Sequence, residues 1–163
     1  MSGGLTEFWW PFIVSLGCVA LVAVAGTRLT QLGPWYYALR QPPWKPPDVW
    51  FGVIWSTIFL LIAVSLALAW PIADASARQW LVTVGVINAI LNVLWSALFF
   101  TMRRPDLAQF EWVLFWFSIV ALLLLVWEQS TLAGVLMLPY LIWVSIAGVL
   151  NRAVVKLNPE LRA

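Results

Sequence analysis

Few side chains in this 163-residue sequence could carry chemistry, and the types that are missing narrow the field first. There is no histidine, which removes the commonest transition-metal ligand, general base and haem ligand together. Cys18 is the only cysteine, so neither an intrachain disulfide nor a cysteine-based metal centre can form. No nucleophile stands at a spacing that pairs it with a base. What remains is a set of groups embedded in apolar sequence: the indoles of Trp55, Trp95 and Trp143, the amides of Asn88 and Asn92, and the carboxyl of Glu111. Asn88 and Asn92 are one turn apart on one helix face, where they either join helices or line a pocket. Glu111 either snorkels to an interface or serves a functional site, with Arg103 and Arg104 as its nearest candidate partners.

The second unusual feature is the stretch at 35–55, WYYALRQPPWKPPDVWFGVIW. Prolines at 42, 43, 46 and 47 forbid a helix there and favour a stiff, extended backbone. One reading is a membrane-surface anchor with Trp and Tyr at headgroup depth. The other, preferred here, is a structured lid over a pocket for a flat apolar ligand, with Trp35, Tyr36, Pro42, Pro43 and Trp44 facing that ligand.

The elements that must position these groups follow from composition and charge spacing. Hydrophobic residues make up 63% and charged residues 10% of the chain, against roughly half and a quarter in soluble domains. Mean hydropathy is +0.92. Charges punctuate long apolar runs and predict spans over 8–27, 50–70, 80–102, 107–127 and 131–151, each long enough for a bilayer. The expected fold class is therefore an all-α membrane protein, a five-transmembrane-helix bundle with a long proline- and tryptophan-rich first loop. It forms one domain over 1–163, with the loop at 28–49 and a tail at 152–163. Short connections between spans two and three, three and four, and four and five predict antiparallel neighbours. An odd number of spans argues against the common inverted-repeat transporters. The start, with Glu7 and no Lys or Arg, lacks the basic region of a cleaved leader, so the first apolar run is expected to be a retained helix. A net charge of +2 without a basic arm gives nucleic acid nothing to bind.

Eight of the nine Lys and Arg residues fall on the side of the proline-rich loop, and Arg78 alone falls on the other. That bias places the N-terminus outside and the C-terminus in the cytoplasm of a membrane such as a bacterial cell membrane. By helical rise, Trp55 and Glu111 lie about 6 Å, Trp95 about 10 Å and Trp143 about 12 Å from the loop side, with Asn88 and Asn92 deeper. All therefore converge under the loop. Trp9, Trp10, Trp50, Trp70, Trp80 and Trp127 fall at span ends, as an aromatic belt would. Gly85 and Ala89 form a small pair that packs helices within the bundle or in a dimer. Pro139 is expected to kink the last helix or open a local cavity.

Three blocks in order, WYYALRQPPWKPPDVWFGVIW, INAILNVLWSALFF and LPYLIWVSIAGVLN, resemble the translocator protein/tryptophan-rich sensory protein family, TspO/MBR. The resemblance covers about 35–151 and implies a five-helix bundle, often dimeric, that binds porphyrins and other flat apolar ligands under its first loop. By motif, Trp55 and Trp143 match the tryptophans associated with porphyrin contact, and would be the catalytic pair if porphyrin is degraded. Phe59, Asn92 and Trp95 match pocket positions, Ala147 a small cavity residue, and Glu111 the acidic position of the fourth span. Trp112, beside Glu111, is counted with the ligand-binding set. Animal members carry a tyrosine just after the LN of the last helix, where this chain has Arg152; a sterol-recognition tail is therefore doubtful and a bacterial member expected. The expected ligand is a metal-free protoporphyrin-type tetrapyrrole, with no cofactor and no metal. A receptor or carrier leads; light- or oxygen-dependent porphyrin breakdown and small-molecule export are the alternatives.

Overall fold

The computed structural model describes residues 3–162, and five of its helices are long and apolar enough to cross a membrane. Met1, Ser2 and Ala163 of the expected 1–163 domain lie outside the described residues. The elements are α1 (Gly3–Leu29), α2 (Pro34–Ala38), α3 (Asp48–Ala69), α4 (Ala75–Ser96), α5 (Pro105–Gln129) and α6 (Thr131–Leu157). A π-helical turn, Ala97–Thr101, continues α4, and a 3-10 turn, Pro159–Arg162, follows α6. The helix starts are set by local chemistry. Asp74 and Ser130 cap α4 and α6 by accepting from the amides of Ala77 (2.7 Å) and Ala133 (3.3 Å). Pro34 and Pro105 stand at the first turns of α2 and α5, where a missing N–H costs nothing. Arg103 adopts a left-handed backbone (φ 54°), which ends the π turn and redirects the chain into α5.

The five long helices close a ring. Helix α1 packs on α3 and α4, α3 on α6, α6 on α5, and α5 back on α4. Small residues allow this closeness: Ala63, Ala67 and Ala133 have no exposed surface. Two tryptophans on α5 press into glycines on α6. A Cβ on Gly134 would meet the Trp127 ring at 2.3 Å, and one on Gly148 the Trp112 ring at 2.1 Å.

Four expectations need correction. Spans two and three, α3 and α4, do not form a packed pair although only residues 70–74 join them. Five residues reach about 17 Å when extended, enough to skip one position in a ring of helices about 8–10 Å apart. The first loop is not wholly extended, since α2 forms ahead of the prolines. Helix α4 starts at Ala75 instead of 80, because Asp74 caps it. Helix α6 runs on to Leu157 instead of 151, because Val154 and Val155 face inward while Arg152 and Lys156 face out. The expected tail is thus mostly helix, and Asn158 beyond it is buried. Trp127, expected only as a belt residue, also packs against Gly134. Helix α6 continues through Pro139.

Candidate functional site

The ring encloses a cavity of about 420 Å³, within the usual size range of small-molecule sites. Helical spacing brings Asp48, Gly52, Trp55 and Phe59 to one face of α3, where all four line it. Opposite stand Trp143, Val144 and Ala147 of α6, with Trp112 and Phe115 of α5 and Asn92, Trp95 and Ser96 of α4. The C-terminal half of α1 forms the remaining wall, and Tyr36 of α2 the roof. The aromatic walls brace one another. Trp143 meets Phe51 edge-on at 5.3 Å, Trp55 meets Tyr140 at 6.1 Å, and Trp95 stacks on Phe99 at 5.1 Å. The Trp112 indole donates to the Val144 carbonyl at 2.8 Å, which fixes its ring. The buried Nε1 of Trp143 finds no acceptor among the described residues.

Of the residues expected from sequence, Tyr36, Trp55, Phe59, Asn92, Trp95, Trp112, Trp143 and Ala147 line this single cavity. Six others do not. Trp35 packs edge-on against Phe99 at 6.3 Å, under the guanidinium of Arg103 at 5.9 Å. Pro42 is buried in the loop, while Pro43 and Trp44 are exposed. Asn88 sits below the cavity as a structural hub. It donates to Ser118 Oγ and accepts from the Tyr140 hydroxyl, both at 2.9 Å, so it joins α4 to α5 and α6. Asn92 does both things, lining the cavity and donating to Tyr140 at 3.4 Å. Glu111 is buried beside the cavity wall, and neither of its oxygens has a partner among the described residues. Its expected arginines are engaged elsewhere: Arg104 grips Asp106 through two bonds of 2.9 and 2.7 Å, and Arg103 lies over Trp35.

The roof is held at two points. The Tyr36 hydroxyl donates to Asp48 Oδ1 at 2.9 Å, and Lys45 Nζ donates to the same oxygen while lying over the Tyr36 and Phe51 rings. Burial pushes the Tyr36 hydroxyl above its ordinary pKa, against the opposing pull of Lys45. Partial burial opposes the charge on Lys45, but its bonds to Asp48 and Tyr36 outweigh it and raise that pKa. At the other point, the backbone N–H of Arg40 donates to Asn158 Oδ1 and Asn158 Nδ2 donates to the Arg40 carbonyl, both at 2.9 Å. Among the described residues, Asp48 is the one charged side chain lining the cavity.

Several lining residues were not anticipated. Asp48 and Gly52 precede Trp55 at helical spacing inside the stretch already singled out, so periodicity alone could have found them. Phe51 and Phe100 carried no signal beyond being aromatic. Val22, Ala23, Gly26 and Thr27 on α1 have no distinctive chemistry, and only the ring topology places them.

The model of the TspO/MBR family matches residues 13–157. Protein CrtK of Rhodobacter capsulatus is 37% identical over 133 residues, covering 78% of this chain and 80% of that one. Tryptophan-rich protein TspO of Chlorobaculum tepidum is 36% identical over 150 residues (88% and 93%). The translocator protein of Bos taurus is 31% identical over 149 residues (86% and 88%). With the match running from the middle of α1 to the end of α6, through every wall of the cavity, this multi-pass membrane chain belongs to the TspO/MBR family.

Proposed function

We propose that this protein is a membrane receptor or carrier that binds a flat, apolar, metal-free tetrapyrrole of the protoporphyrin type in the central cavity. The observation that carries this reading is the cavity wall itself, where Trp55, Trp95 and Trp143 from three helices border one space. Indole faces suit a large flat ring. With no histidine in the chain, the commonest axial ligand for a metalloporphyrin is missing, which favours the free base. The protein acts as a homodimer; a Cβ on Gly85 would meet nothing within 4 Å, which leaves that face of α4 open to a second copy. Its membrane is a bacterial cell membrane, with the N-terminus outside. In a Cys18→Ser background, Ser76→Cys is then labelled in intact cells by an impermeant thiol reagent and Trp44→Cys is not; the reverse pattern would overturn the orientation. Mass spectrometry of the ligand extracted from freshly purified protein tests the binding claim. A free-base tetrapyrrole at stoichiometric level supports it, whereas a different lipid or metabolite, with no displacement by added protoporphyrin, rejects it.

A further inference from the structure

The cavity must exchange its ligand with something outside, and the surrounding elements are not equally closed. The roof is latched by the Tyr36–Asp48–Lys45 cluster and by the paired bonds between Arg40 and Asn158. On the α4 side, the upper part of α1 is drawn in. Ser96 Oγ lies 3.9 Å from the position a Cβ on Gly26 would take, and Thr101 Oγ1 donates to the Leu29 carbonyl at 3.1 Å. The lower part of α1 is closed against the core, where Val19 is buried and Phe12 packs on the same cluster. The side between α1 and α3 differs. Thr27, Gly52 and Ser56 line the cavity and are also exposed, and a Cβ on Gly52 would meet no atom within 4 Å. Gly52 and Ser56 lie four and eight residues into α3, about 6 and 12 Å along the helix from its loop end. That depth is inside the apolar span and below the roof.

We infer that the gap between α1 and the first three turns of α3, bordered by Thr27, Gly52 and Ser56, is a lateral portal through which an apolar ligand passes between the bilayer and the cavity. This rests on the reading of the cavity as a binding site for a flat apolar molecule. Such a molecule partitions into the hydrocarbon region, so a side opening at that depth meets it where it is concentrated, with the roof still latched. The small side chains of Thr27, Gly52 and Ser56 leave the width a ring needs. A gate of this kind sets rates in both directions and leaves the bound state unchanged.

The test uses the full-length protein in liposomes, with protoporphyrin dimethyl ester partitioned into the membrane and tryptophan quenching followed by stopped flow. Gly52→Phe adds its Cβ where no other atom lies within 4 Å and is expected to slow association by about tenfold. Because Gly52 also borders the cavity, the association rate is the readout, whatever the change in equilibrium affinity. Asn158→Ala frees the roof and should leave the association rate within about twofold. An accelerated association in Asn158→Ala, with unaltered rates in Gly52→Phe, would place the route under the roof and overturn the portal. Absence of quenching in the parent protein would instead reject the binding reading. In that case a nitroxide on Ser56→Cys, in a Cys18→Ser background, still decides the portal. Relaxation by oxygen that exceeds relaxation by a water-soluble nickel chelate, and falls when Gly52→Phe is added, supports a bilayer-facing opening; preferential access of the nickel chelate overturns it.

Discussion

Gly148→Ala isolates the packing that sets the cavity wall. The added methyl would stand 2.1 Å from Trp112 Cε2 and 2.4 Å from its Nε1, well inside any tolerated contact. The ring cannot swing away, even into the cavity it borders, without giving up the bond from Nε1 to the Val144 carbonyl at 2.8 Å. Helices α5 and α6 must therefore separate or this partly buried hydrogen bond must break. Overpacking costs about 1–3 kcal/mol, and a lost hydrogen bond about 1 kcal/mol more, for a total of about 2–4 kcal/mol. By the scaling of soluble domains of this size, thermal unfolding in detergent should shift down by roughly 5–15 °C. Gly85→Ala supplies the internal contrast. Its methyl meets nothing, so the better helix propensity of alanine should leave stability unchanged or raise it by about 0.5–1 kcal/mol. In a double-mutant cycle, Gly148→Ala should cost less once Trp112→Ala has removed the ring. A Gly148→Ala protein that melts within about 1 °C of the parent, followed by circular dichroism, would refute the close-packed α5–α6 wall.

Tyr140→Phe removes the donor to Asn88 Oδ1 and should cost about 1–2 kcal/mol; thermal melts should also show Asn88→Ala costing less in that background than alone. The Lys45 pKa is raised above its ordinary 10.5, so its contribution to the roof is fully present below that value and is lost as pH rises through the higher folded pKa. Protease protection of the loop should therefore hold from neutral pH to the ordinary lysine range and fall only above it, and Lys45→Met should abolish that dependence. Replacing Pro42, Pro43, Pro46 and Pro47 together with Ala loosens the roof in advance of binding. Ligand dissociation should quicken while association is unchanged; identical off-rates would reduce the loop to an anchor.

Charge spacing made the five spans legible because a bilayer-length apolar run has few alternatives in water or lipid. The same spacing misjudged helix ends, since Arg152 and Lys156 mark the membrane surface without ending α6, whose inward Val154 still has Tyr36, Leu39 and Phe99 to pack with. Helical rise correctly gathered Trp55, Trp95 and Trp143 at one end, because depth in a span follows from counting residues. Azimuth does not. Asn88 and Asn92 share a face by count, yet only Asn92 reaches the cavity, because Tyr140 and Ser118 on two other helices claim Asn88. Glu111 was given the arginines nearest in sequence, but Asp106 is closer to Arg104 and holds it in a two-point pair. The α1 wall was invisible for a simpler reason, since Ala23 and Gly26 matter only by leaving room.

The central claim is that a free-base porphyrin sits in the cavity bordered by Trp55 and Trp143, and a fluorescence titration with protoporphyrin tests it most directly. Stacking on one indole is worth about 0.5–1.5 kcal/mol beyond area burial, which is at most about tenfold in affinity. Trp55→Phe and Trp143→Phe should each weaken binding by up to that factor and diminish the quenching. Trp80→Phe, on an exposed belt residue, should leave affinity unchanged. Binding of unaltered strength in the Trp55→Phe/Trp143→Phe double variant would contradict the account.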